Sequence, residues 1–220
     1  MNNELWVLDF DRCLGDVDAL FDHLLELVAA KGVSRDALAE ARKKCEDVGG
    51  SFDIMDYCHS TFSDDEYKKL QHDFLAGSEN SVFLEKGARE LIDWLEATGR
   101  PHCILSYGSL KWQELKIRCA GLGAVPHIIT STPRKSDVLR EWQQPNGEYY
   151  TPVESGRAAY TSVVLLDDKA IAFADLPENV RGYWYRHATL LPSQEGEVDE
   201  QRVCAIDSLE AIVTREGTMH

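Results

Sequence analysis

Apolar residues along this chain come in two rhythms. Short, nearly continuous apolar runs at 5–8, 103–105, 127–129 and 163–166 alternate with stretches in which apolar side chains recur every three or four residues. The first rhythm suits strands buried on both faces and the second suits amphipathic helices, so the alternation predicts a parallel sheet covered by helices. Residues 183–185 and 203–206 are further strand candidates. Ala88, Leu91, Ile92 and Leu95 form one helical stripe, which Gly99 would stop. Trp112, Leu115 and Cys119 form another, ended by Gly121 or Gly123. Ser136 is the expected cap of a helix carrying Val138, Leu139 and Trp142.

The first strand is not followed at once by its crossover, because from Asp16 to about Gly77 the pattern is helical throughout. Val17, Leu20, Phe21, Leu24 and Val28 line one face of a helix that Gly32 ends. Ser34 should cap the next, with Leu38, Ala41, Cys45 and Val48 inside, and Gly49-Gly50 should break the chain. Ser63 and Glu66 are spaced as a capping box ahead of Tyr67, Leu70 and Phe74. The expected organisation is an α/β core at 1–15 and 81–220, with a small helical domain inserted at 16–80. The hinges would fall near residues 16–18 and 77–81. The insert carries 15 acidic and 7 basic residues.

Composition narrows the function. With 38 acidic against 23 Lys and Arg over 220 residues, the net charge is -15. A field of that sign repels nucleic-acid backbones and anionic lipid, so neither is expected as a partner, and a phosphorylated substrate would need a local positive offset. No apolar run reaches the roughly 18 residues of a spanning helix. Met1 to Glu4 lacks a basic leader, so no export signal is expected and a cytoplasmic location is. The six cysteines form no C-x-x-C pair and read as reduced thiols rather than a zinc site.

Four stretches that follow or end a strand candidate can carry chemistry, and ligands of open α/β sheets bind at that edge. Asp9-Phe10-Asp11 closes the first strand; taken alone, two such acids are more often solvated than catalytic, the alternative being a nucleophile and a general acid/base. Ser106-Tyr107-Gly108 offers a hydroxyl and backbone amides to an anion, although Ser and Gly are also ordinary turn residues. Arg134-Lys135 follows the 127–129 run, where the lysine would neutralise a phosphate and a carboxylate or simply face water. Asp167-Asp168 ends the most apolar run, and adjacent acids there repel unless a cation is near.

The four stretches in this order resemble the haloacid dehalogenase superfamily of phosphatases and phosphotransferases, over about 1–15 and 81–220. The helical insert resembles that superfamily's class I cap. The resemblance implies a three-layer, doubly wound parallel sheet of Rossmann type. It also implies a phosphoric monoester hydrolase acting on a small phosphorylated metabolite, as a monomer or homodimer. By position Asp9 matches the nucleophile and Asp11 the general acid/base. Ser106 matches the phosphate-binding hydroxyl, beside the amides of Tyr107 and Gly108, and Lys135 the lysine that steadies nucleophile and phosphate. Asp9, the Asp11 backbone oxygen, Asp167 and Asp168 match the magnesium site, with the direct ligand of the last pair left open. The acid at position 11 favours phosphate over halide chemistry, because an alkoxide leaving group needs a proton. A phosphomutase, or a non-catalytic module keeping the fold, are the alternatives. Two positions depart from the pattern. Arg12-Cys13 stands where Gly-Thr is usual, making Arg12 a candidate substrate contact, and Tyr107 stands where Asn is frequent.

Overall fold

Six parallel strands form the centre of the structure, a computed structural model that describes residues 3–47, 52–77, 83–152, 158–187 and 196–218. They are β1 (Glu4–Leu8), β2 (His102–Tyr107), β3 (His127–Thr130), β4 (Ser162–Asp167), β5 (Val180–Tyr185) and β6 (Val203–Ile206), in the order β3-β2-β1-β4-β5-β6. All six sequence candidates are strands, most of them a residue or more longer than the apolar run. Helices α5 (Ala88–Ala97), α7 (Lys135–Trp142) and α8 (Glu210–Gly217) accompany the sheet. The chain therefore winds first to one side of β1 and then to the other, and a crevice opens where the direction reverses, between the carboxyl ends of β1 and β4. Among the described residues no helix is long and apolar enough to cross a membrane.

Strand alternation decides what each face holds. Leu5 and Val7 of β1, Cys103 and Leu105 of β2, and Val163 and Leu165 of β4 bury against Val138, Leu139 and Trp142 of α7, with Tyr149 and Phe173. The opposite face centres on Trp6, which stacks on Tyr183 at 6.1 Å and meets the edge of Trp94 on α5 at 5.6 Å. Beside it Glu216 of α8 accepts from Arg181 Nη1 and Tyr183 Oη, each at 2.6 Å, with Arg100 Nη1 3.7 Å away. A buried charge network of that kind is stable only while every member keeps its partner.

The contacts divide the chain into two units. One comprises Met1–Gly15, Leu84–Gly108 and Val125–His220; the other comprises Asp16–Phe83 and Ser109–Ala124. The second unit contains α1 (Val17–Ala29), α2 (Arg35–Asp47), α3 (Ile54–Thr61), α4 (Asp64–Ala76) and α6 (Leu110–Cys119). Asp16 caps α1, and Ser63 with Glu66 forms the expected capping box of α4. Two readings of the helices change. Leu25, not Phe21, joins the buried face of α1, and Phe21 is exposed. The stripe on α6, expected to serve the sheet, belongs to the helical unit. Trp112 lies 5.4 Å from Phe74, Cys119 Sγ contacts the Phe74 carbonyl, Ser109 donates to Asp53, and Lys111 pairs with Asp56 at 2.8 Å. α3 was not legible, and the expected break at Gly49-Gly50 lies outside the described residues, as do residues 78–81 of the second hinge.

Candidate active site

The positions of the acids follow from register. Leu5 pairs with Val163 and Val7 with Leu165, so one more step of the same alternation sets Asp9 level with Asp167 on the α7 face. The amide of Asp9 continues the ladder, donating to the Leu166 carbonyl at 2.8 Å. Lys135 is the first residue of α7, and its Nζ donates to both Asp9 Oδ1 and Asp167 Oδ2, with all three side chains buried. Asp167 Oδ1 accepts from the Lys169 amide at 2.8 Å. One oxygen from each of Asp9, Asp167 and Asp168 lies within 4.8 Å of the others.

Directly after Asp9 the chain turns back on itself. The amides of Cys13, Leu14 and Gly15 all point to the Phe10 carbonyl, at 3.3, 3.0 and 2.8 Å, and Arg12 donates to the Gly15 carbonyl at 3.0 Å. This turn needs a left-handed residue at its tip, and Arg12 supplies it with φ +59. An L side chain pays for that conformation where glycine would not. The turn brings Asp11 round to the wall of a small cavity, about 10 Å³, which it shares with Asp9, Tyr107, Pro133, Lys135, Asp167 and Lys169. That volume is the size of one water or ion.

The electrostatics are those of a buried acid cluster tied to an ammonium. Burial alone would push Lys135 down, but Asp167 and Asp9 hold its pKa above the usual lysine value, so it is charged. Burial pushes the Asp167 carboxyl up, and Asp9 adds to this against the pull of Lys135. Cys13 is buried nearby, and its thiol is pushed well above the ordinary value by burial and then by Asp9, Asp168 and Asp167. The raised pKa keeps the thiol protonated in this surrounding, which disfavours it as a nucleophile.

The anion-binding stretch of β2 differs from expectation. The strand runs on to Tyr107, two residues past the apolar run, so alternation turns Ser106 away from the face of Leu105 and Tyr107. Ser106 is buried, does not line the cavity, and its Oγ has no hydrogen-bond partner among the described residues. The Gly108 amide donates to the Thr130 carbonyl at 3.1 Å and so is already committed. Tyr107, 45% exposed, does line the cavity. Ser136 is not a helix cap but the buried second residue of α7, whose N-cap is Arg134, because Lys135 is drawn inward to the acids. The cavity residues passed over in the sequence are Pro133 and Lys169. The only available signal for Lys169 was a lysine immediately after an acid pair.

A magnesium ion fits these donors. They are hard carboxylate oxygens gathered within 4.8 Å of one another, the donor type that magnesium prefers. Asp9 Oδ2 is buried with no hydrogen-bond partner among the described residues, as an oxygen reserved for a cation would be.

No protein-family model and no curated protein sequence matches the chain. Solved structures do. A haloacid dehalogenase-like hydrolase of Burkholderia xenovorans LB400 superposes with a TM-score of 0.57 at 16% identity, over 99% of this chain and 98% of that one. The HAD-hydrolase YfnB of Bacillus subtilis, bound to magnesium, gives 0.51 at 15%, over 98% and 99%. CbbY of Rhodobacter sphaeroides, in complex with phosphate, gives 0.50 at 16%, over 95% of each. By superposition, the chain has the fold of the haloacid dehalogenase-like hydrolases.

Proposed function

We propose that the chain is a magnesium-dependent phosphatase of the haloacid dehalogenase superfamily, hydrolysing a small phosphorylated metabolite, with the helical unit as its cap domain. The observation that carries this reading is Asp9. It is buried at the switch point of the sheet, one carboxylate oxygen held by Lys135 and the other reserved, with Asp11 on the same cavity wall.

Lys135 keeps Asp9 ionised and oriented. A carboxylate oxygen of Asp9 attacks phosphorus, the ester P–O bond breaks, and Asp11 gives its proton to the departing alkoxide. Asp11 then takes a proton from the water that attacks the aspartyl phosphate, which returns Asp9 and releases inorganic phosphate. Asp9, Asp167, Asp168 and the Asp11 carbonyl would hold magnesium, which supplies the positive charge that lets an anionic nucleophile approach an anionic ester. Burial and Lys135 do the remaining work, by excluding bulk water and fixing the direction of attack.

The test is phosphate release from p-nitrophenyl phosphate and a panel of sugar and acyl phosphates, with magnesium and with chelator. The expected result is metal-dependent release by the native chain and its loss in Asp9→Asn, which keeps the side-chain volume and should fold. Release that survives Asp9→Asn removes Asp9 from the nucleophile role. Absence of release across the panel removes the phosphatase reading itself.

A further inference from the structure

Two lysines face the cavity, and they are not equivalent. Lys135 has two of its three donors committed to Asp9 and Asp167 and is almost wholly enclosed. Lys169 Nζ stands 3.5 Å from Asp168 Oδ1, beyond the roughly 2.7–2.9 Å of a close charge-assisted bond. Its side chain is 29% exposed. The backbone beneath it is fixed, because its amide is held by Asp167 Oδ1 and the 3-10 turn Ala170–Phe173 starts at the next residue with Ala170 and Phe173 buried. A long cationic side chain thus rises from a rigid base along the cavity wall, with donors to spare.

The charge balance gives it a purpose. Four carboxylates, Asp9, Asp11, Asp167 and Asp168, meet two ammonium groups. With one divalent cation bound and Asp11 holding the proton it gives to the leaving group, that set carries one net positive charge; without Lys169 it would be only neutral when a phosphoryl dianion arrived, in a chain whose overall field already repels one. Lys135 has two of its three donors on Asp9 and Asp167. We propose that Lys169 is a second phosphoryl-binding ammonium of this site, its Nζ donating to a non-bridging oxygen of the bound phosphoryl group beside Lys135, which also ties Asp9 to Asp167. This rests on the phosphatase reading and adds to it a residue outside the four motifs. Burial would lower the Lys169 pKa, but Asp9, Asp168 and Asp167 raise it, so the group arrives charged.

Calorimetric titration of inorganic phosphate into the full chain at saturating magnesium tests the assignment. It is paired with titration of magnesium alone and with steady-state kinetics on p-nitrophenyl phosphate. Lys169→Met, which retains the stem, should weaken phosphate binding about tenfold to a hundredfold, in line with loss of a hydrogen bond to a charged group. KM should rise by a similar factor. Magnesium affinity without phosphate should hold or tighten, since a competing cation has been removed. Lys169→Arg should recover most of the phosphate affinity, and Lys169→Gln, polar and of similar length, should not. Thermal melts establish that each variant is folded. Phosphate affinity within twofold of the native chain in Lys169→Met and Lys169→Gln overturns the assignment and leaves the phosphatase reading intact. So does weakening that follows a matching loss of magnesium, because Lys169 would then act on the acids. A native chain that neither binds phosphate nor hydrolyses any ester overturns both.

Discussion

Replacing Lys135 by Met tests the buried cluster in isolation from any substrate. The change leaves Asp9, Asp167 and Asp168 enclosed within 4.8 Å of one another, and the nearest remaining ammonium is Lys169, 3.5 Å from Asp168 alone. Removing one partner of a buried ionic cluster costs about 3–5 kcal/mol. For a chain of this length that lowers the melting temperature by roughly 6–20 °C in chelator at neutral pH. The cost should depend on pH with a definite sign. Asp167 already has its pKa raised above the ordinary 3.8, and Lys135 is the main influence opposing that shift. Without it the folded-state pKa rises further, so the fold prefers the protonated acid. Stability of the variant then falls as pH rises from 3.8 toward the folded value, and its deficit shrinks again on acidification. Magnesium should recover more stability in the variant than in the native chain, since the ion replaces the missing charge. Melting curves over pH, with and without the ion, read all three. A Lys135→Met chain within about 1 kcal/mol of native in chelator at neutral pH would refute the enclosure of these acids around one ammonium.

Two further outcomes are expected. Glu216 meets opposing influences: burial pushes its pKa up, but Arg181 and Tyr183 hold it below the ordinary 4.5. Its contribution is therefore present above 4.5 and lost as pH falls below it. Glu216→Gln should cost about 3 kcal/mol at neutral pH and flatten the acid limb of the denaturation profile, and an unchanged limb would contradict this. Arg12→Gly relieves an L residue held at φ +59, so stability should stay level or rise by up to about 1 kcal/mol while turnover persists. Relative kcat/KM over a panel of phosphate esters should change. Unchanged preference would mean that the Arg12 side chain takes no part in selecting substrate.

The sheet was legible because a strand buried on both faces must be apolar at nearly every position, and the runs at 5–8 and 163–166 leave no polar residue for a second reading. The same rule set the limit at β2. Ser106 and Tyr107 are polar residues inside a strand, so the apolar run stops at Leu105 and the hydroxyl reads as a group at the strand end. One residue along a strand reverses the face, so with the strand continuing to Tyr107 the Ser106 hydroxyl, expected at the anion site, is not among the residues that line the cavity. α6 shows a different limit. Its stripe of Trp112, Leu115 and Cys119 says that one face is buried but carries no information about the partner. The sheet and the helices at Phe74 and Asp53 were equally good partners until the coordinates chose the helices.

The site shows why charge is harder to read than apolarity. Asp9, Lys135 and Asp167 are separated by 126 and 32 residues, and nothing local marks them as partners; what joins them is strand parity and the start of one helix. Their order along the chain was informative because the topology forces it. With β1 central, an acid at its end can be met only from the ends of β2 and β4 and from the helices that connect them. Lys169 obeys the same geometry but belongs to no recognisable pattern, and a lysine after two acids looks like an ordinary solvated counter-ion. Its significance depends on its setting: the same ammonium facing water would contribute little, whereas on the wall of a small cavity shared with Asp9, Asp11 and Asp167 it is placed to meet an entering anion.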